Sequence, residues 1–216
     1  MSKDTEQADA QKVAEAIGFI REGKIAKAQE LLQDVCSRCP DTYQYEFVEG
    51  DTRYVKFWDM EEFLSFVGRL GKDKKEEVVW LVSAYPRACY WLGFLFIERR
   101  DFASALGWLK KGQRLEPYNA KFLNEMGFIY SELKDPVNAL ASFEAALGLP
   151  SISNRDLAIA LRGAAINLVD LGRLEEAKEK LLRSLEIDPD SDLAKSELAY
   201  IADLQAEHEG TAIGNA

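Results

Sequence analysis

Two stretches of this 216-residue chain carry one pattern 34 residues apart. Gly93 lies in Trp91-Leu92-Gly93-Phe94 and Gly127 in Glu125-Met126-Gly127-Phe128. Leu92 is in step with Met126, Phe96 with Tyr130, Ala105 with Ala139 and Leu109 with Phe143. Within each stretch the apolar residues recur at the spacing of one helix face. A unit of this length cannot bury its apolar face alone, so copies stack and share a continuous core. Such stacks offer a concave surface for another protein to fill, an architecture of binding rather than catalysis.

The clearest unit spans 86–119. Cys89, Leu92, Gly93 and Phe96 make the face of its first helix, and Gly93 is small where the paired helix must come close. Arg100-Asp101 turns the chain. Ala105, Leu109, Gly112 and Leu115 make the second helix, which Pro117 stops. The next unit spans 120–153. Leu123, Met126, Gly127 and Tyr130 form one face, Lys134-Asp135-Pro136 the turn, and Ala139, Phe143, Ala146 and Leu147 the other face. Asp135 is a cap, and Pro136 suits the first helical turn. After a slip at Asn154 to Leu157, a third unit runs over 158–191. Leu161, Ala164, Ala165 and Leu168 precede the turn Leu171-Gly172-Arg173, and Ala177, Leu181, Leu185 and Ile187 follow it. An N-terminal unit over 9–42 has Gly23-Lys24-Ile25-Ala26-Lys27-Ala28 at its turn and ends at Pro40-Asp41. Residues 192–208 predict a capping helix with a polar outer face, and 209–216 a disordered tail.

The stretch Gly172-Arg173-Leu174-Glu175-Glu176-Ala177 and the ending Leu185-Glu186-Ile187-Asp188-Pro189 resemble the second half of a tetratricopeptide repeat (TPR), and the 34-residue period is that family's period. The resemblance covers about four-fifths of the chain. It implies a mainly α fold, a right-handed superhelix of antiparallel helix pairs forming a single domain over 1–216. It also implies a protein-interaction role without naming the partner.

Residues 43–85 break the period. Tyr43-Gln44-Tyr45-Glu46-Phe47-Val48 and Arg53-Tyr54-Val55-Lys56-Phe57-Trp58, joined by Glu49-Gly50-Asp51-Thr52, predict an inserted β-hairpin over 43–58. A lone hairpin is marginal in water, so one face must pack on something. Asp59 and Glu62 make a capping-box-like start for a helix with Phe63, Leu64, Phe66, Val67 and Leu70 on its apolar face. A second helix is expected from Asp73 to Ala84, giving a helical pair over 59–85. The insert either lines the binding side or seals an edge of the stack.

Asp plus Glu number 37 against 27 Lys plus Arg, a net charge of −10. That balance argues against nucleic acid or an anionic membrane as the main partner. The polar start Met1-Ser2-Lys3-Asp4 has no apolar h-region, and no apolar run approaches the ~18–20 residues that span a bilayer. A cytoplasmic protein is therefore expected. Cys36-Ser37-Arg38-Cys39 lacks both a thioredoxin-like context and a second ligand pair, since only Cys89 and the distant His208 remain. No nucleophile, phosphate-loop or metal motif is present, so no catalytic residue, metal or cofactor is expected.

In TPR proteins the first helix of each pair (helix A) lines the groove. Mapping that resemblance assigns Arg87, Tyr90, Phe94 and Ile97 from one unit, Lys121, Asn124 and Phe128 from the next, and Arg162 and Ile166 from the last. Aromatic anchors flanked by Arg and Asn are hot-spot residue types. Arg87, Lys121 and Arg162 are expected to hold a carboxylate. TPR co-chaperones that bind chaperone tails use a two-carboxylate clamp of Lys, Asn and Arg. Here its first-repeat Lys and Asn correspond to Val13 and Ile17, or to Tyr90 and Phe94, so neither register keeps the clamp. The expectation is an adaptor or chaperone that binds an apolar or amphipathic peptide of another protein. The alternatives are self-association through the aromatic face as a homodimer, and a small secretion-system-type TPR chaperone, which the chain resembles in being compact and acidic.

Overall fold

Four times along the chain one residue in the left-handed backbone region turns a helix back on itself: Gly23 (φ 73°), Arg100 (58°), Lys134 (59°) and Gly172 (73°). The hydrogen bonding is the same at each. Lys24 N–H donates to the Phe19 carbonyl (2.8 Å), Asp101 to Phe96 (2.9 Å), Asp135 to Tyr130 (2.9 Å) and Arg173 to Leu168 (2.8 Å). These bonds satisfy carbonyls that a helix end leaves open. At two of the turns the next residue caps the following helix: Asp101 accepts from Ser104 N–H (3.1 Å) and Asp135 from Asn138 N–H (3.1 Å).

The computed structural model describes residues 3–70 and 77–213. Helices α1 (Lys3–Arg21) and α2 (Ile25–Ser37) form the first pair; α4 (Tyr85–Glu98) and α5 (Phe102–Leu115) the second; α6 (Ala120–Glu132) and α7 (Pro136–Leu147) the third; α8 (Asn154–Asp170) and α9 (Leu174–Ile187) the fourth. The slip at Asn154 to Leu157 is an extra turn at the start of α8, capped by Ser153, whose Oγ accepts from Asp156 N–H (3.1 Å). About four residues are one helical turn, so the apolar face keeps its phase. Helix α10 (Asp192–Ile213) follows. It runs past the 192–208 span read as the cap, and 209–213 belong to the helix rather than to a tail.

The insert holds a β-hairpin and more. Strands β1 (Glu46–Glu49) and β2 (Thr52–Lys56) pair antiparallel, Glu46 opposite Val55 and Glu49 opposite Thr52, around Gly50 at φ 61°. Helix α3 (Met60–Arg69) follows, and then β3 (Glu77–Leu81) pairs parallel to β2, from Thr52–Glu77 to Lys56–Leu81. The helix expected over 73–84 is thus a strand at 77–81; residues 71–76 lie outside the described residues. Val78, Val79, Trp80 and Leu81 are β-branched or bulky, and the open edge of β2 supplies their backbone partners. Phe57 pins α3 to the sheet, edge-on to Phe63 (5.6 Å), Phe66 (5.3 Å) and Trp80 (6.1 Å between centroids).

The chain forms two compact units, Met1–Phe122 and Leu123–Ala216. Repeats touch mainly their neighbours, so a uniform period carries no mark of where contacts thin. In unit 1, Val13, Ala16, Leu32, Val35, Tyr85, Ala88 and Leu92 share a core that includes the Cys36 and Cys89 thiols, 3.5 Å apart. The Cys36 contact and then burial push the Cys89 thiol far up; burial pushes that of Cys39 to about 11, away from thiolate chemistry. In unit 2 the ring of Phe143 sits between Gly127 and Gly163, where an added Cβ would come within 2.6 and 2.4 Å of it.

Candidate functional site

The residues expected to line the groove fall into two groups, one per unit. In unit 1, Arg87 and Tyr90 on α4 and Lys121 at the start of α6 surround a residue that the groove mapping did not include, Trp58. Tyr90 and Phe122 meet its indole edge-on at 5.3 and 5.6 Å. The Arg87 guanidinium and the Lys121 ammonium lie over the ring, at 5.9 and 5.7 Å. Trp58 Nε1–H donates to Glu116 Oε2 (2.6 Å). The insert therefore lies against part of the helix-A face of this unit. Phe94, edge-on to Trp91 (5.5 Å), and Ile97 are half-buried further along α4.

Glu116 is the buried centre of this arrangement. Its Oε1 accepts from Ser83 Oγ (2.5 Å) and Tyr43 Oη (3.4 Å), and its Oε2 from Trp58 Nε1 and Asn119 Nδ2 (3.2 Å). Burial pushes its carboxyl up to about 7, with the bonds from Ser83, Asn119 and Trp58 opposing the rise. Next to it, Glu62 and Asp59 pair with Lys121, Asp59 at 3.5 Å. Burial raises the Glu62 carboxyl and Lys121 holds it down. Glu62 also accepts the Trp58 backbone N–H (2.8 Å), while Asp59 accepts that of Glu62 (3.0 Å), a close relative of the capping box. Reading Glu116 from the sequence is hard, because a Glu before a Pro at a helix end looks solvent-facing. Trp58 was legible only as the end of a strand.

In unit 2, Asn124 is buried. Its Nδ2 donates to the Asp156 carbonyl (3.2 Å), and its Oδ1 is one of two buried side-chain polar atoms without a hydrogen-bond partner among the described residues; Arg87 Nε is the other. Ser131 Oγ and Asn167 join α6 to α8 one helical stretch later (2.8 Å). Between these ties Phe128 is 44% exposed and stands edge-on to the buried Phe143, at 5.4 Å. Ile166 is half-buried on α8. Arg162 reaches α9 and the turn after it, donating to Ser184 Oγ (3.2 Å) and Asp188 Oδ2 (3.1 Å). Two of the three cations expected to hold a partner's carboxylate, Lys121 and Arg162, thus hold the chain's own. Arg87 lies over an indole.

A family model described as a tetratricopeptide repeat matches residues 165–191. Solved structures of such repeats share the fold. Over residues 165–191 the chain carries a tetratricopeptide repeat. It is 25% identical to the first TPR of Spaghetti (RPAP3), bound to the HSP90 peptide SRMEEVD, covering 56% of this chain and 93% of that one with a TM-score of 0.52. The first TPR domain of human RPAP3 is also 25% identical, over 58% of this chain and 95% of that one, with a TM-score of 0.53. PilF of Pseudomonas aeruginosa shares the fold more completely at 14% identity, over 96% of this chain and 72% of its own, with a TM-score of 0.65. No curated protein matches the sequence. No described helix of this protein is long and apolar enough to cross a membrane.

Proposed function

We propose that this TPR protein is a non-catalytic cytoplasmic adaptor or chaperone that binds an apolar or amphipathic segment of another protein on its helix-A faces. Phe128 carries this reading. It is a large aromatic side chain, 44% exposed, fixed against the buried ring of Phe143 on a helix tied at both ends to α8. A rigid aromatic on a firm base is what an interface anchor requires, since little conformational entropy is lost when a partner covers it. Ile166 extends the apolar face of the unit. The HSP90 peptide bound by the Spaghetti repeat supports peptide capture as a use of this fold. The charged clamp of chaperone-tail binders has no counterpart at Tyr90 and Phe94, which favours apolar recognition here.

The test is capture of partners from a native lysate by wild type beside Phe128→Asp, with circular dichroism of both. Loss of an anchor of this kind costs about 2 kcal/mol or more, on the order of a 30-fold drop in affinity. The expected result is a partner held by wild type and lost by a fully helical Phe128→Asp. A partner retained equally by both overturns the assignment. Light scattering of the same samples separates the self-association reading, in which wild type is a dimer that Phe128→Asp splits.

A further inference from the structure

The indole of Trp58 belongs to the insert, while the groups that grip it belong to α4, the α5 terminus and α6. Tyr90 and Phe122 form the slot, Arg87 and Lys121 lie over the ring, and Glu116 takes the N–H. Asp59 and Glu62, one and four residues on, pair with Lys121. A short segment thus offers an aromatic, an acid and a second acid to an aromatic slot and a cation. Two details set this contact apart from ordinary core. Trp58 is only half-buried, whereas Phe122 and Glu116 beneath it are fully buried. Arg87 Nε is buried without a hydrogen-bond partner among the described residues, a donor whose unpaired burial is costly. A segment with a better-placed carboxylate would satisfy it.

We infer that residues 58–62 are a tethered pseudo-ligand of the unit 1 helix-A face, and that the partner matched to this face is a peptide carrying Trp followed by acidic residues at the next and fourth positions. Charge complementarity commits the site to such a partner: Arg87 and Lys121 face it, and the segment already there brings Asp59 and Glu62. The tether holds that segment at an effective concentration on the order of millimolar, so an equivalent peptide in trans competes poorly until the resident one is weakened. The inference rests on the reading of helix-A faces as binding surfaces. It concerns unit 1, whereas Phe128→Asp reports on unit 2, so the two fail separately.

The probe is a fluorescein-labelled peptide with the sequence of residues 55–63, Val-Lys-Phe-Trp-Asp-Met-Glu-Glu-Phe, titrated by anisotropy into full-length protein. Binding to Trp58→Ala/Glu62→Gln is expected to be at least tenfold tighter than to wild type. It should be lost when Lys121→Ala is added, or when the peptide's Trp is replaced by Ala. Circular dichroism and a thermal melt establish that each variant is folded. Should the first variant fail to fold, Asp59→Asn/Glu62→Gln keeps Trp58, the cap and the neutral hydrogen bonds while releasing Lys121, and a severalfold gain over wild type is expected. A folded variant that binds no better than wild type overturns the inference, as does equal binding of the Trp-less peptide. A wild-type dimer that requires Trp58 would assign the slot to a second copy and overturn it too.

Discussion

Glu116 shows how a single side chain can couple stability to pH. An ordinary glutamate titrates near 4.5, and in the folded chain burial lifts Glu116 to about 7. Between those values the folded state binds more protons than the unfolded one, so stability falls as pH rises from about 4.5 to about 7. The full effect is on the order of 3 kcal/mol. Glu116→Gln can place its carbonyl toward Trp58 and Asn119 and its amide toward the Ser83 and Tyr43 hydroxyls, which also accept. Urea melts across pH 5–8 should therefore show a sloping stability for wild type and a flatter one for Glu116→Gln; parallel slopes would remove Glu116 as the cause. The turns allow a second prediction at this scale. Lys134 holds φ 59°, where a Cβ costs about 1 kcal/mol and glycine pays no such strain. Lys134→Gly should raise the urea midpoint by the equivalent of about 0.5–1 kcal/mol. The same change at the exposed, right-handed Lys110 of α5 should lower it.

At the scale of elements, close approach governs the helix pairs and aromatic packing governs the insert. Gly163→Ala would drive a methyl into the Phe143 ring, with a cost of about 1–3 kcal/mol from overpacking. Phe57→Ala would empty the contact between α3 and the sheet, with a cost of about 3–5 kcal/mol. Denaturant melts measure both. The helices of the repeats were legible because their apolar spacing and turn residues agree at each copy: Gly93 and Gly127 mark close approaches, Arg100-Asp101 marks a turn, and Asp135 marks a cap. Strand β3 was not legible. Val78-Val79-Trp80-Leu81-Val82 is a continuous apolar run that suits a strand or a buried helix, and spacing alone does not choose. The open edge of β2, distant in sequence, made the choice. That Arg87 and Tyr90 share one side of α4 was legible from their spacing. Their contact with Trp58 was not, because it depends on where the insert folds back.

For the whole molecule, division into two compact units implies that local opening is read unit by unit. Phe57→Ala should lower hydrogen-exchange protection among the amides of α3, β2 and α4, and leave those of α8 and α9 at wild-type levels. Gly163→Ala should do the reverse. A uniform loss in either variant would show one cooperative unit instead. The amino-acid sequence by itself determined the repeat, the helix pairs, their turns and the hairpin, because each follows from spacing and backbone preference within a few tens of residues. Tertiary structure alone decided the parallel strand, the burial of Glu116, and the choice of Trp58 as the occupant of the helix-A face. Those outcomes depend on which open edges, buried carboxylates and aromatic slots meet across 25 or more residues of chain, and local periodicity carries no record of such meetings.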